Sequence, residues 1–93
     1  TPLSGAAALA SVELPENLRA WPVDTAAPDG YPIASFTWLL LYKKYDNAAK
    51  LKALKDFVTY GLTEGQSFAV DLGYIPLPES VVAKANAALS TID

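Results

Sequence analysis

The stretch Tyr31-Pro32-Ile33-Ala34-Ser35-Phe36-Thr37-Trp38-Leu39-Leu40-Leu41-Tyr42 constrains the fold more than any other part of the chain. It is the longest run dominated by β-branched, aromatic and aliphatic residues. Alternation puts Ala34, Phe36, Trp38, Leu40 and Tyr42 on one face of a strand and Ile33, Ser35, Thr37, Leu39 and Leu41 on the other. Both faces are largely apolar, which places such a strand in the middle of a covered sheet and predicts an α/β protein. Pro32 is tolerated at the strand's start. Lys43-Lys44 closes the run well short of the roughly 20 apolar residues that span a bilayer, so no membrane span is expected.

Helical patterns follow the strand. Asp46 or Asn47 is placed to cap a helix to about Tyr60, with Ala48, Leu51, Leu54, Phe57 and Val58 on one face. Gly61 fits the left-handed position that ends such a helix. Thr63-Glu64-Gly65-Gln66 has the form of a capping box opening a short helix that Gly73 terminates. Tyr74-Ile75-Pro76-Leu77-Pro78 is an apolar connector into a last helix, roughly Glu79 to Thr91. Val81 or Val82, Ala85, Ala88, Leu89 and Ile92 form its packing stripe. Ahead of the strand, Thr1–Ser11 reads as a weak helix gripped only by Leu3, Leu9 and Val12. Glu13–Gly30 is broken by Pro15, Pro22 and Pro28, and Thr25–Gly30 reads as an exposed loop.

One strong strand cannot form a sheet. Its neighbours are expected from a missing part of the polypeptide, from a second copy, or from weaker strands near Leu18 and Tyr74. The chain has 93 residues, enough for one small domain, and lacks methionine even at position 1. The missing methionine and the unpartnered strand lead to the expectation that it is a piece of a longer protein.

The chemistry on offer is sparse. Cysteine and histidine are absent, which removes thiolate and imidazole catalysis and the metal sites built on them. The acidic residues are scattered, and no serine or threonine has a histidine to activate it, so no enzyme is expected. A net charge of −3 disfavours nucleic acid. Lys43, Lys44, Lys50, Lys52 and Lys55 cluster, but Asp46 and Asp56 are interspersed and a solvated helix face explains them. Ser35 and Thr37 carry hydroxyls in the strand, and Ser4-Gly5 and Thr63-Glu64-Gly65 offer backbone N–H groups at helix starts. Ordinary strand bonding and capping account for all of these.

From Tyr31 to Leu89 the sequence resembles the carboxy-terminal end of the phosphate-binding proteins of ABC transporters, the PstS family. The resemblance lies in Tyr31-Pro32-Ile33 leading into Phe36–Lys43, in Leu54-Lys55-Asp56-Phe57-Val58, in Tyr60-Gly61 and Gly65-Gln66, and in Leu72–Val82. The Ala-rich start with Leu14-Pro15-Glu16-Asn17-Leu18 is similar to cyanobacterial-type members. The resemblance implies the C-terminal part of a type II periplasmic-binding-protein, or Venus-flytrap, fold. Residues 1–29 would be a remnant of the second lobe and hinge approach, and residues 30–93 would complete the first lobe as strand-helix-helix-helix.

It further implies a periplasmic, exported protein, lipid- or surface-associated in some members, that delivers inorganic phosphate to an ABC permease. The family's phosphate ligands lie upstream and match no position here. No catalytic, ligand-binding or metal residue and no cofactor is therefore assigned, and the piece alone is expected not to bind phosphate tightly. Its partners would be the missing N-terminal part of the same protein or a second copy. The competing expectation is a standalone module that self-associates through its strand edges without binding a ligand.

Overall fold

A computed structural model describes residues 1–22 and 27–93. The elements in chain order are α1 (Pro2–Ala10), α2 (Ala48–Leu62), a 3-10 helix (Glu64–Phe68) and α3 (Glu79–Ser90). They form a slab of 45 × 28 × 16 Å with a radius of gyration of 14.3 Å. A closed domain of this length has a radius near 12 Å, so the slab is open.

Thr1 caps α1: its hydroxyl accepts from the Ser4 N–H, and the Ser4 hydroxyl completes a capping box. The buried face of α1 is Gly5, Ala8 and Leu9, while Leu3 is exposed. The expected grip through Leu3 gives way to small residues at helical spacing, which allow a closer approach. A Cβ on Gly5 would lie 3.2 Å from Ile75 Cγ1 and closer still to its Cδ1, so the helix docks on the connector backbone-first. The N–H of Tyr31 donates to the Ser4 carbonyl at 2.9 Å, tying the start of the apolar stretch to the same helix.

Asn47 caps α2 by accepting from the Lys50 N–H at 3.1 Å. The helix runs through Gly61, which is not left-handed, and stops at Thr63. No residue of α2 is fully buried; Leu51, Leu54 and Val58 are half-buried and Phe57 is exposed. The capping box expected at Thr63 does not form, because the Thr63 hydroxyl donates backward to the Thr59 carbonyl at 2.7 Å. Gln66 braces the turn instead: its Nε2 donates to the Gly61 carbonyl and its Oε1 accepts from the Leu77 N–H, both at 2.7 Å. Gly73 does take positive φ, at 84°, where the chain leaves the turn. Val81, Leu89 and Ile92 are buried along the predicted stripe of α3 and just beyond it.

The apolar stretch departs from the expectation of a buried strand. Among the described residues no strand is present; Ile33 is an isolated bridge, and residues 34–42 make no backbone-to-backbone hydrogen bond to another described residue. Leu39 is 64% exposed and Leu40 91%. The reason is physical: a strand is held by neighbouring backbones, and neither Leu18 nor Tyr74 supplies one. Past Tyr42 a pair of backbone bonds is present. Asp93 donates its N–H to the Lys43 carbonyl at 3.1 Å and accepts from the Tyr45 N–H at 2.7 Å, the bond pattern of a parallel ladder. The expected loop Thr25–Gly30 lies partly outside the described residues, and its described end closes a turn through Gly30 N–H to the Ala27 carbonyl.

Candidate functional site

Phe36–Leu41, α3, the end of α2 and the segment Leu14–Arg19 enclose a groove of about 550 Å³. Its floor is the α3 stripe, with Val81, Ala85, Ala88, Leu89 and Ile92 facing it, and Val58 and Leu62 close one end. Asn17, Arg19 and Thr37 are the polar residues on its rim. Such a lining favours apolar side chains over a hydrated ion, because burying a charge without paired groups is costly.

The Leu14–Trp21 segment crosses beside this groove. Lys84 Nζ donates to the Leu14 carbonyl at 3.0 Å, and Trp38 Nε1 donates to the Leu18 carbonyl at 2.9 Å. Trp21 and Trp38 meet with ring centroids 5.8 Å apart, tilted by 46°. Leu18 sits at φ 62°, a left-handed conformation that costs a leucine roughly 1–2 kcal/mol. These anchors were not legible as such: a lysine and a tryptophan donating to distant carbonyls leave no local spacing signal. The brace at Gln66 had a signal, a glutamine after a helix end, but its partner is the connector and not Thr63.

The polar residues singled out in the sequence do not converge. Ser35 and Thr37 are exposed, and Ser35 Oγ donates to the adjacent Phe36 carbonyl at 3.3 Å. Ser4 is engaged by Thr1, and Gly5 is closed off by Ile75. A Cβ on Gly65 would lie 3.1 Å from the Tyr60 carbonyl, leaving no cradle at that turn. Of the lysine cluster, Lys52 pairs with Asp56 at 2.7 Å on the exposed side of α2. The hydrogen bond to Asp56, and then its charge, raises the Lys52 pKa above the usual 10.5. Among the described residues no group of histidine, cysteine, aspartate or glutamate side chains is placed to hold a metal ion, and no helix is long and apolar enough to cross a membrane.

What aligns with this chain is a set of binding proteins. Over 63% of its length it is 42% identical to the phosphate-binding protein PstS of Methanocaldococcus jannaschii. The phosphate-binding protein PstS of Pasteurella multocida is 33% identical over 66% of the chain, and PstS 3 of Mycobacterium leprae is 33% identical over 72%. The chain is a PstS-like segment. It spans under a fifth of those relatives, 16% of the first and 18% of the other two. No family model matches the chain, and no solved structure matches it.

Proposed function

We propose that this PstS-like segment is the C-terminal part of a periplasmic phosphate-binding protein that hands inorganic phosphate to an ABC permease, with the phosphate site outside the segment. The observation that carries this reading is the state of residues 34–42. They lie in the stretch that resembles part of a much longer binding protein, yet among the described residues their backbone is unpaired and Leu39 and Leu40 are exposed. An apolar stretch whose ladder is unfilled among the described residues suits neighbouring strands, which supports the α/β, Venus-flytrap reading. The apolar groove and the scatter of the polar candidates support a site elsewhere, and with it a non-enzymatic role.

The division at 29/30 belongs to the same proposal. The turn at Ala27–Gly30 and the shift from a proline-broken segment to the apolar stretch support residues 1–29 as second-lobe and hinge material and 30–93 as first-lobe material.

The test is a chimera in which this chain replaces the matched stretch of the Methanocaldococcus jannaschii relative. Calorimetry is expected to show phosphate binding for the chimera, none for the relative lacking that stretch, and none for the 93-residue chain. Tight phosphate binding by the chain alone, or a folded chimera that binds no phosphate, overturns the reading. A second reading, a self-associating module, is favoured by the same exposed Leu39 and Leu40. Sedimentation separates the two, since a monomer at high concentration excludes pairing between copies.

A further inference from the structure

We propose that Asp29-Gly30 is a modification site: the aspartyl linkage there rearranges spontaneously from the α- to the β-linked form, gated by the turn Ala27–Gly30. The rearrangement uncouples the apolar stretch from α1. It stands apart from the proposed function and holds whether or not that reading does.

The chemistry asks for a carboxyl group beside a backbone nitrogen that it can reach. The Gly30 nitrogen forms a bond to Asp29 Cγ, one carboxyl C–O bond breaks, and the nitrogen's proton leaves in the water released. The resulting five-membered succinimide takes water back at either carbonyl. Opening at Cγ restores the ordinary chain, and opening at the α-carbonyl leaves the chain running through Cβ and Cγ. One water leaves and one returns, so no other reactant is needed.

Asp29 is the only aspartate or asparagine followed by glycine, and the absent side chain lets the carboxyl group approach the nitrogen. The fold narrows the choice further. Asn17 Oδ1 accepts from the Arg19 N–H, and Asn47 Oδ1 accepts from the Lys50 N–H. Asp56 is held by Lys52 on α2, and Asn86 lies within α3. Asp46 and Asp71 precede Asn47 and Leu72, whose side chains crowd the nitrogen to be attacked. Asp29 is exposed and sits in a turn.

That turn sets both the rate and the consequence. Pro28 and Gly30 stand at the second and fourth positions, where a type I turn favours them. The Gly30 N–H donates to the Ala27 carbonyl at 3.0 Å, and this bond opens before the nitrogen can attack. The next residue, Tyr31, donates its N–H to the Ser4 carbonyl at 2.9 Å. A β-linkage adds one backbone atom between Pro28 and Gly30 and carries both donors away from their acceptors. The helix α1 has 9 residues, too few to be stable alone, so the loss of a tie loosens it.

The test incubates the 93-residue chain at neutral pH and locates β-linked aspartate by peptide mapping with electron-transfer fragmentation. It is expected at residue 29, forming roughly two- to tenfold more slowly than in the urea-unfolded chain, the range for opening one neutral hydrogen bond. Pro28→Ala, which frees the turn, is expected to speed formation in the folded chain roughly two- to fivefold. Gly30→Ala should slow it in the folded and the urea-unfolded chain alike, and Asp29→Glu should abolish it. In the purified β-linked chain the Tyr31 amide is expected to exchange faster with solvent.

Absence of β-linkage at residue 29 while the urea-unfolded chain forms it overturns the site. Equal formation at Asp46 and Asp71 overturns it as well. Unchanged Tyr31 exchange in the β-linked chain overturns the uncoupling.

Discussion

The C-terminal helix and the Tyr31–Tyr42 stretch are the two most convincing apolar patterns in the chain, and they end in opposite environments. Leu89 and Ile92 are each 8% exposed, whereas Leu40 is 91% exposed. A helix satisfies its own backbone and needs only a surface to lie on, to which α2 contributes. A strand must borrow its hydrogen bonds from other chain segments. The same degree of apolarity therefore buries a helix locally and leaves a strand waiting.

That contrast is broken most sharply by paired truncations. Leu89→Ala is expected to cost about 2–3 kcal/mol in the 93-residue chain, and Leu40→Ala less than about 0.5 kcal/mol, both read by urea denaturation. In the chimera with the Methanocaldococcus jannaschii relative, Leu40→Ala should rise to a core-like cost of about 2 kcal/mol or more. An unchanged small effect there would mean that Leu40 never becomes buried.

Gly5→Ala is the next largest effect. Its methyl group runs into Ile75, and the expected loss is about 1–3 kcal/mol unless Ile75→Val accompanies it. Double-mutant analysis by thermal denaturation checks that rescue. Gln66→Ala removes two hydrogen bonds that join the end of α2 to the connector, with an expected loss of about 1–2 kcal/mol and faster exchange of the Leu77 amide.

The smallest effect is the exposed Lys52–Asp56 pair. A raised lysine value means its contribution is complete below the ordinary value of 10.5 and fades as pH rises through the higher folded value. Far-ultraviolet ellipticity of α2 is expected to fall slightly at that alkaline limb, and Lys52→Met should abolish the change. Salt screening should mask it as well.

The helical half was largely legible in the sequence. Asn47 as a cap, the α3 stripe and Gly73 at positive φ are local signals, and local chemistry decides them. Gly61 misled because a glycine near a helix end marks a stop only when the backbone turns left-handed there, and α2 continues to Leu62. Thr63 misled because its hydroxyl had a nearer acceptor in the Thr59 carbonyl. The apolar stretch was recognisable as strand-forming, but its burial was not decided by its own residues: partners do that. The anchors at Lys84 and Trp38 join segments far apart in sequence, a relation no periodicity encodes.

The paired bonds between Asp93 and the Lys43–Tyr45 segment also bear on how fast the chain reaches this structure. They close a loop containing α2, the 3-10 helix and α3, over half of the whole sequence. Loop-closure entropy must be met before those two bonds form, and such distant contacts slow folding relative to a helical hairpin. The helices are therefore expected to form first and the Asp93 contact last. Until it forms, Lys43–Tyr45 presents the same unpaired backbone as the stretch before it, so aggregation is most dangerous early in folding.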